Sequence, residues 1–422
     1  MPEKNPQRFD LSASSIGAFK ACPTRFRLAY REGIRKDEDT DSQRMGTNWH
    51  ALHETYHEAL YTLRDQEGMS DKLKHEHALG AAVDHLNDAY SEVPATKTPE
   101  EWESERQVLV MSFIGYLWYW EDDPIEVLAS ELAFDLPIHT PKRGMPLPLE
   151  DVVRRGKIDH VILWKGLIGN LERKSTSRSI DPSGDYWEKA QKDTQVSMYA
   201  LAFRDMLSEG LLPETVTQHP EFDPDRFGNT LYDVWHKPTI KPTTLSQKDT
   251  AALIETGQYC GEEFDVKITT ETRTLTIRKK EVEKKVIVGV TVDGLEADVT
   301  VGKSGEPSIR ETPTMFGARL LEDIQERPEY YFQRKEIART DKQLQRFRLE
   351  LFNIYEAQRM YDDTGCWFEN EQQCRATFAC PFIPICYGPG ADHVCETGET
   401  PEGFKRIFVD PTVDGKEIND GK

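Results

Sequence analysis

The spacing of apolar positions changes along the chain, and each change marks a different kind of element. From residue 10 to 120 apolar residues recur at helical spacing, and EWESERQVLVMSFIGYLWYWEDD carries one continuous apolar stripe. Residues 125 to 175 read as strands. WEKAQKDTQVSMYALAFRDML (Trp187 to Leu207) reads as one helix covering that sheet, which makes the core α/β. From 208 to 245 the chain turns Pro-rich and loop-like. Alternation returns in DVKITTETRTLTIRKK and KKVIVGVTVDGLEADVTV, so residues 264 to 302 are strands that either extend the sheet or form a small insert. ERPEYYFQRKEIARTDKQLQRFRLELFNIYEAQRMY then runs helically into a cysteine-rich block, and the polar, Gly-rich tail after Cys395 reads as disordered. The organisation expected is a helical region over 1–120, the α/β core over 121–210 and a loop and β-rich insert over 211–312. A C-terminal helix and cysteine segment over 313–395 and a polar tail over 396–422 complete it.

One hairpin breaks the apolar pattern. In GKIDHVILWKGLIGNLERKS (Gly156 to Ser175) two apolar strands fold about Lys165-Gly166, yet both carry acid. With Trp164 facing Leu167, antiparallel counting brings Asp159 opposite Glu172. Two carboxylates so placed repel unless a cation lies between them, and the period of two puts Lys174 beside Glu172 while Arg173 points away. A one-residue slip would separate them, and Lys-Gly is a weaker turn signal than Asn-Gly. Charge alone is equally compatible with a solvated sheet face carrying a salt bridge. The apolar flanks Ile158, Val161, Ile162, Leu163, Ile168 and Leu171 favour burial, where acids need partners.

Composition frames this and raises one objection. The chain has 422 residues and 37% hydrophobic content, enough for a full core in two or three units. It has no apolar run long enough to cross a bilayer, which points to an intracellular, cytoplasmic protein, in a host cytoplasm if phage-encoded. The net charge of −21 argues against a nucleic-acid binder unless cations are gathered locally. Arg25, Arg27, Arg31, Arg35 and Lys36 cluster near the start, Arg173, Lys174 and Arg178 follow the hairpin, and RKEIARTDKQLQRFR (Arg334 to Arg348) reads as a basic helical stretch. With so acidic a remainder, binding is expected to be weak and salt-sensitive.

Asp159 followed by Glu172-x-Lys174 resembles the PD-(D/E)XK nuclease superfamily, and the surrounding residues are similar to its RecB-type branch. SASSIGAFKACPTRFRLAY (Ser12 to Tyr30) is similar to that branch's opening helix with its Cys-Pro. MGTNWHALHE resembles the motif whose histidine, here His50, joins the metal site. Glu131 in SELAFDLPI stands where the family has an acid on the preceding strand, though an ordinary strand-face salt bridge explains it equally well. Gln195 and Tyr199, four apart on one helical face, resemble the QxxxY motif. Ile158 rather than Pro precedes Asp159, a departure. The resemblance implies a restriction-endonuclease-like fold and metal-assisted phosphodiester hydrolysis by an exonuclease of recombination or repair. Asp159 and Glu172, with His50 and Glu131, would hold Mg²⁺ or Mn²⁺, and Lys174 would orient water or stabilise transition-state charge. Gln195 and Tyr199 would position DNA or the lysine. DNA with free ends or single strands is the implied partner, with a helicase or recombination partner left open. A protein that kept the fold but only binds nucleic acid is the other reading, disfavoured by the complete Asp-Glu-Lys set.

The cysteines form a separate line. Seven are present, and an odd count argues against a secreted disulfide scaffold. Five residues separate Cys374 from Cys380 and Cys380 from Cys386, which misses the short zinc-ribbon spacing. The RecB-type resemblance implies a [4Fe–4S] cluster on Cys22, Cys374, Cys380 and Cys386, with Cys366 able to replace one of them. Structural zinc or free buried thiols are the alternatives. Finally, HETYH (His53 to His57) matches the H-E-x-x-H of zinc metallopeptidases. Leu52, Tyr56, Ala59, Leu60 and Leu63 make an apolar stripe, so a polar helix face accounts for these histidines more cheaply.

Overall fold

The computed structural model describes residues 8–37, 41–64, 66–123, 125–277, 280–376 and 379–407. The elements that build the site run in chain order as follows. First come β1 (Phe9–Leu11), α1 (Ala13–Ala21), β2 (Ile34–Lys36), α2 (Asp41–Leu63), α3 (Asp71–Ala89) and α4 (Pro99–Tyr119). Next are β3 (Glu126–Leu136), β4 (Val152–Trp164), β5 (Leu167–Thr176), α5 (Asp185–Ala190), α6 (Thr194–Ser208) and β6 (Thr230–His236). The last are β7 (Val266–Ile277), β8 (Lys280–Val292), α7 (Pro313–Glu326), β9 (Phe332–Ile337), α8 (Asp341–Thr364) and β10 (Phe404–Arg406).

The central sheet has six strands in the order β1-β4-β5-β6-β9, with β3 on the other edge of β4. β1 on β4 and β5 on β6 are parallel, while β3 on β4, β4 on β5 and β6 on β9 are antiparallel. The fold is therefore α/β with a central mixed sheet flanked by helices, as the resemblance implies. One layer, α2, α4 and α7, buries Trp49, Leu52, Phe113 and Phe316 against Trp235 and Phe332 of the sheet. Trp49 stacks on Trp235 with centroids 4.3 Å apart, locking α2 over β6. The other layer, α1, α6 and α8, packs Ile16, Met198, Phe203 and Phe347 on Phe134, Val152 and Ile158.

The β4–β5 turn forms as the sequence predicts. Lys165 and Gly166 both adopt left-handed φ, +52° and +74°, the backbone a two-residue hairpin needs to match strand twist. Four other expectations are corrected. Trp187 to Leu207 is not one helix: α5 ends at Ala190, and Asp193 caps a new helix, α6, with its side chain. The Pro-rich segment contains β6, a strand buried at every position. It was invisible because both its faces are covered, so no alternation survives. The basic stretch after Tyr331 begins as β9, and the helix starts only at Asp341, capped by Thr340, whose hydroxyl accepts the N–H of Gln343. The tail after Cys395 is in part ordered: β10 pairs with β2 and buries Phe404. Residues 408–422 of that expected tail lie outside the described residues. β7 and β8 pair in a sheet of their own rather than extending the central one. Among the described residues no helix is long and apolar enough to cross a membrane.

Candidate active site

The site forms where one edge of β4 is left open. β1 occupies that edge only to Arg154, and β5 joins it only from His160, while β3 follows the opposite edge. Residues 155–159 therefore have no ladder partner on the open side. Gly156, within this open run, lets two rings close over the sheet face, since a Cβ there would stand 2.7 Å from the Phe134 ring and 2.9 Å from the Tyr199 ring of α6. The register counted from the turn holds to His160↔Leu171, but the Asp159/Glu172 pair expected next is not a ladder pair. The strands part there. Asp159 instead accepts the backbone N–H of Arg173 at 2.9 Å, its carboxylate standing in for the missing strand carbonyl.

Glu172 is 2% exposed. Its Oε1 accepts from Lys174 Nζ at 2.6 Å and from Gln195 Nε2 at 2.7 Å. The Gln195 carbonyl oxygen in turn accepts from the same ammonium at 2.6 Å, so one amide bridges acid and lysine. The other oxygen, Oε2, is buried with no hydrogen-bond partner. Burial, then the charge of Asp159, push the Glu172 carboxyl up to about 8. Lys174 is held above its ordinary value: burial pulls it down, and the charge and hydrogen bond of Glu172, with Asp159 and Asp193 beyond, outweigh that. The centre is thus an acid pair with an ammonium group already beside it and one carboxylate oxygen unsatisfied. An oxygen in that state fits a hard divalent cation, which would lower its proton affinity.

α2 supplies the third side. It approaches β5 where Gly46 lies, and a Cβ there would stand 3.2 Å from Ser175 Oγ. One turn on, His50 Nδ1 lies 3.7 Å from Asp159 Oδ2. Burial holds this imidazole below its ordinary range against the pull of Asp159, which keeps it neutral and able to bind a metal. Glu131 stands on β3 between Ser130, paired with His160, and Leu132, paired with Ile158, hence across from Asp159. Its φ is +53°, costly for a residue with a Cβ, and it forms an ion pair with Lys157. Tyr199 is buried edge-on against Phe134, one helical turn beyond Gln195. Among the described residues, no three His, Cys, Asp or Glu side chains close a ligand set by themselves.

The opposite face of β5 is also polar, which sequence reasoning missed. Arg173, 1% exposed, shares Nη2 with His57 Nε2 at 3.1 Å and lies 3.8 Å from Asp233. Arg334 stacks over Trp120 at 4.0 Å and donates to the Tyr116 hydroxyl at 2.7 Å. His53 is enclosed by Trp49, Phe113 and Tyr116, with neither ring nitrogen paired. So the H-E-x-x-H histidines lie on no polar surface face. They face the interior from α2, His53 among aromatic rings and His57 against Arg173, and burial keeps both well below ordinary imidazole values. The basic clusters are consumed internally in part: Arg27 pairs with Asp392 and Arg31 with Asp362, and Arg339 is buried against Ser197, while Arg25, Lys36, Lys342 and Arg346 stay exposed.

Away from this centre, Cys22, Cys374, Cys380 and Cys386 line one cavity with Arg25, Glu369 and Asn370. The backbone N–H of Asn370 reaches Cys22 Sγ at 3.4 Å. Burial, then Glu369, push the Cys386 thiol up to about 12. Cys366 is exposed, Cys395 is buried in the small core against which Cys380 and Cys386 pack, and neither lines the cavity.

A sequence model of the PD-(D/E)XK nuclease superfamily matches residues 10–387 of this chain. No curated protein and no solved structure matches it.

Proposed function

Because the chain belongs to the PD-(D/E)XK nuclease superfamily, we propose that it is an exodeoxyribonuclease of the RecB-type branch, acting in recombination or repair. Nucleases of this superfamily generally use Mg²⁺ or Mn²⁺, and nucleic acid is the substrate class. Asp159 and Glu172 would hold the ion, with His50 beside them and Glu131 as an outer acid. When bound, the ion supplies Lewis-acid polarisation of the phosphate and a more acidic water. The chain's own part is to hold charge in place. Lys174, kept protonated by its acidic neighbours, faces the negative charge that grows on the phosphate oxygens. Gln195 fixes the directions of Glu172 and Lys174 at once. Arg178, just beyond β5, is the exposed basic residue nearest in sequence to Lys174 and is placed to meet a phosphate backbone. The observation that carries this reading is the buried, half-satisfied Glu172 between Asp159 and Lys174.

The test is incubation of end-labelled linear and circular DNA with Mg²⁺ or Mn²⁺, beside Glu172→Ala and Lys174→Ala. Cutting that survives in both variants removes the site. Circular DNA cut as fast as linear removes the exonuclease assignment alone. For the four cysteines facing one cavity we propose a [4Fe–4S] cluster tying the N-terminal helix to the C-terminal segment, with zinc as the alternative. The convergence of the four cysteines on one cavity and a backbone N–H aimed at Cys22 suit a thiolate-bound group. Anaerobic purification with iron and acid-labile sulfide analysis decides it, and colourless protein with stoichiometric zinc overturns it.

A further inference from the structure

The break between α5 and α6 falls beside the candidate site. Asp193 sits at that break and spends both carboxylate oxygens. Oδ1 accepts the Gln195 backbone N–H at 2.7 Å, and Oδ2 accepts the Tyr232 hydroxyl at 2.9 Å. Tyr232 is on β6 directly alongside Glu172 of β5. From the far edge of the sheet, the buried Arg339 donates to the Asp193 carbonyl at 3.1 Å and to Ser197 Oγ at 2.9 Å. The first turn of α6 is therefore held from three directions: its own cap, β6 and the segment after β9.

We propose that Asp193 is a positioning residue, whose cap and tie to Tyr232 hold Gln195 in the single orientation that donates to Glu172 and accepts from Lys174. This rests on the nuclease reading above. The geometry explains why the orientation needs holding. A glutamine amide flipped by half a turn would aim its NH₂ at the ammonium and its oxygen at the carboxylate, two repulsive contacts replacing two attractive ones. Gln195 is two residues from the cap, so the start of α6 sets where its side chain begins. An uncapped first turn frays, and Gln195 lies within it. Asp193 touches neither reacting atoms nor the proposed ion; its hydrogen bonds act through Gln195, and its charge, which also helps keep Lys174 protonated, is what Asp193→Asn removes while leaving those bonds.

The experiment compares Asp193→Ala, Asp193→Asn and the wild type on linear DNA with Mn²⁺, at a matched folded fraction. Ser246→Ala, which removes the cap of the helix Gln247–Thr256 in the β-rich region, is the control for generic cap loss. Asp193→Ala is expected to lower kcat on the order of 10²-fold with KM little changed, since a misplaced group costs rate rather than binding. Asp193→Asn, which caps as well as Asp and can still meet the Tyr232 hydroxyl, is expected to restore kcat to within about threefold. Ser246→Ala should cut like wild type. The proposal is overturned if Asp193→Ala keeps wild-type kcat, if Asp193→Asn is as slow as Asp193→Ala, or if Ser246→Ala is equally slow. A wild-type protein that does not cut at all instead removes the nuclease reading, so the two failures are distinct.

Discussion

Glu172 links the site to stability in a way that can be measured without any substrate. Its carboxyl, ordinarily at 4.5, is pushed up to about 8 by burial and by Asp159. In the folded, metal-free chain it therefore holds a proton over a range where the unfolded chain has released it. The unfolded state then binds fewer protons than the native one, so stability falls as pH rises from 4.5 toward 8. Each unit of that window is worth about 1.4 kcal/mol for one proton, so raising pH from 5.5 to 8 costs roughly 3 kcal/mol. A divalent ion replaces the proton, so Mn²⁺ should cancel the loss and bind more tightly as pH rises. The assay is urea unfolding in EDTA at several pH values, repeated with Mn²⁺ and with Glu172→Gln, which keeps the shape and cannot ionise. Wild type minus variant isolates this group from the other carboxylates. Equal pH slopes for wild type and Glu172→Gln in EDTA would refute the reasoning, as would a wild-type slope that Mn²⁺ leaves unchanged.

Other perturbations follow from contacts around the site. Gly46→Val should drive α2 off β5 at Ser175 and lower activity through His50, and adding Ser175→Ala should recover part of it, because the close atom is the Ser175 hydroxyl; steady-state cleavage rates with Mn²⁺ check this. His53→Ala should cost about 2–4 kcal/mol in urea unfolding, since the ring is enclosed by three aromatic neighbours, and no peptide hydrolysis should be lost with it. Arg178→Glu should weaken binding to labelled DNA in Ca²⁺ and flatten its salt dependence by about one phosphate contact, with kcat at saturation unchanged. Cys22→Ser should lower iron content and loosen the C-terminal segment, seen as faster proteolysis after Thr364, because Cys22 is the only N-terminal member of the cavity's four.

Much of this molecule is local in origin. The hairpin turn, the alternation that carries Glu172 and Lys174 together, the four-residue step from Gln195 to Tyr199 and the cysteine spacing depend on short-range geometry that a chain carries in its residue order. Hence the α/β core, and the residues proposed for its centre, are legible in the sequence alone. What was not legible depends on partners distant in sequence. β6 and β9 are strands because the sheet covers and pairs them, and burial on both faces or at a charged edge erases the alternation that would announce them. The basic clusters looked available because their acids, Asp362, Asp392 and Asp233, lie far along the chain. The histidines of α2 looked solvent-facing because Phe113, Tyr116 and Arg173 close over them only in the fold. Residue order put forward the groups proposed for chemistry here. Only the tertiary structure decided that β4 and β5 part at Asp159, because an open ladder edge exists only once β1, β3 and β5 have taken their places.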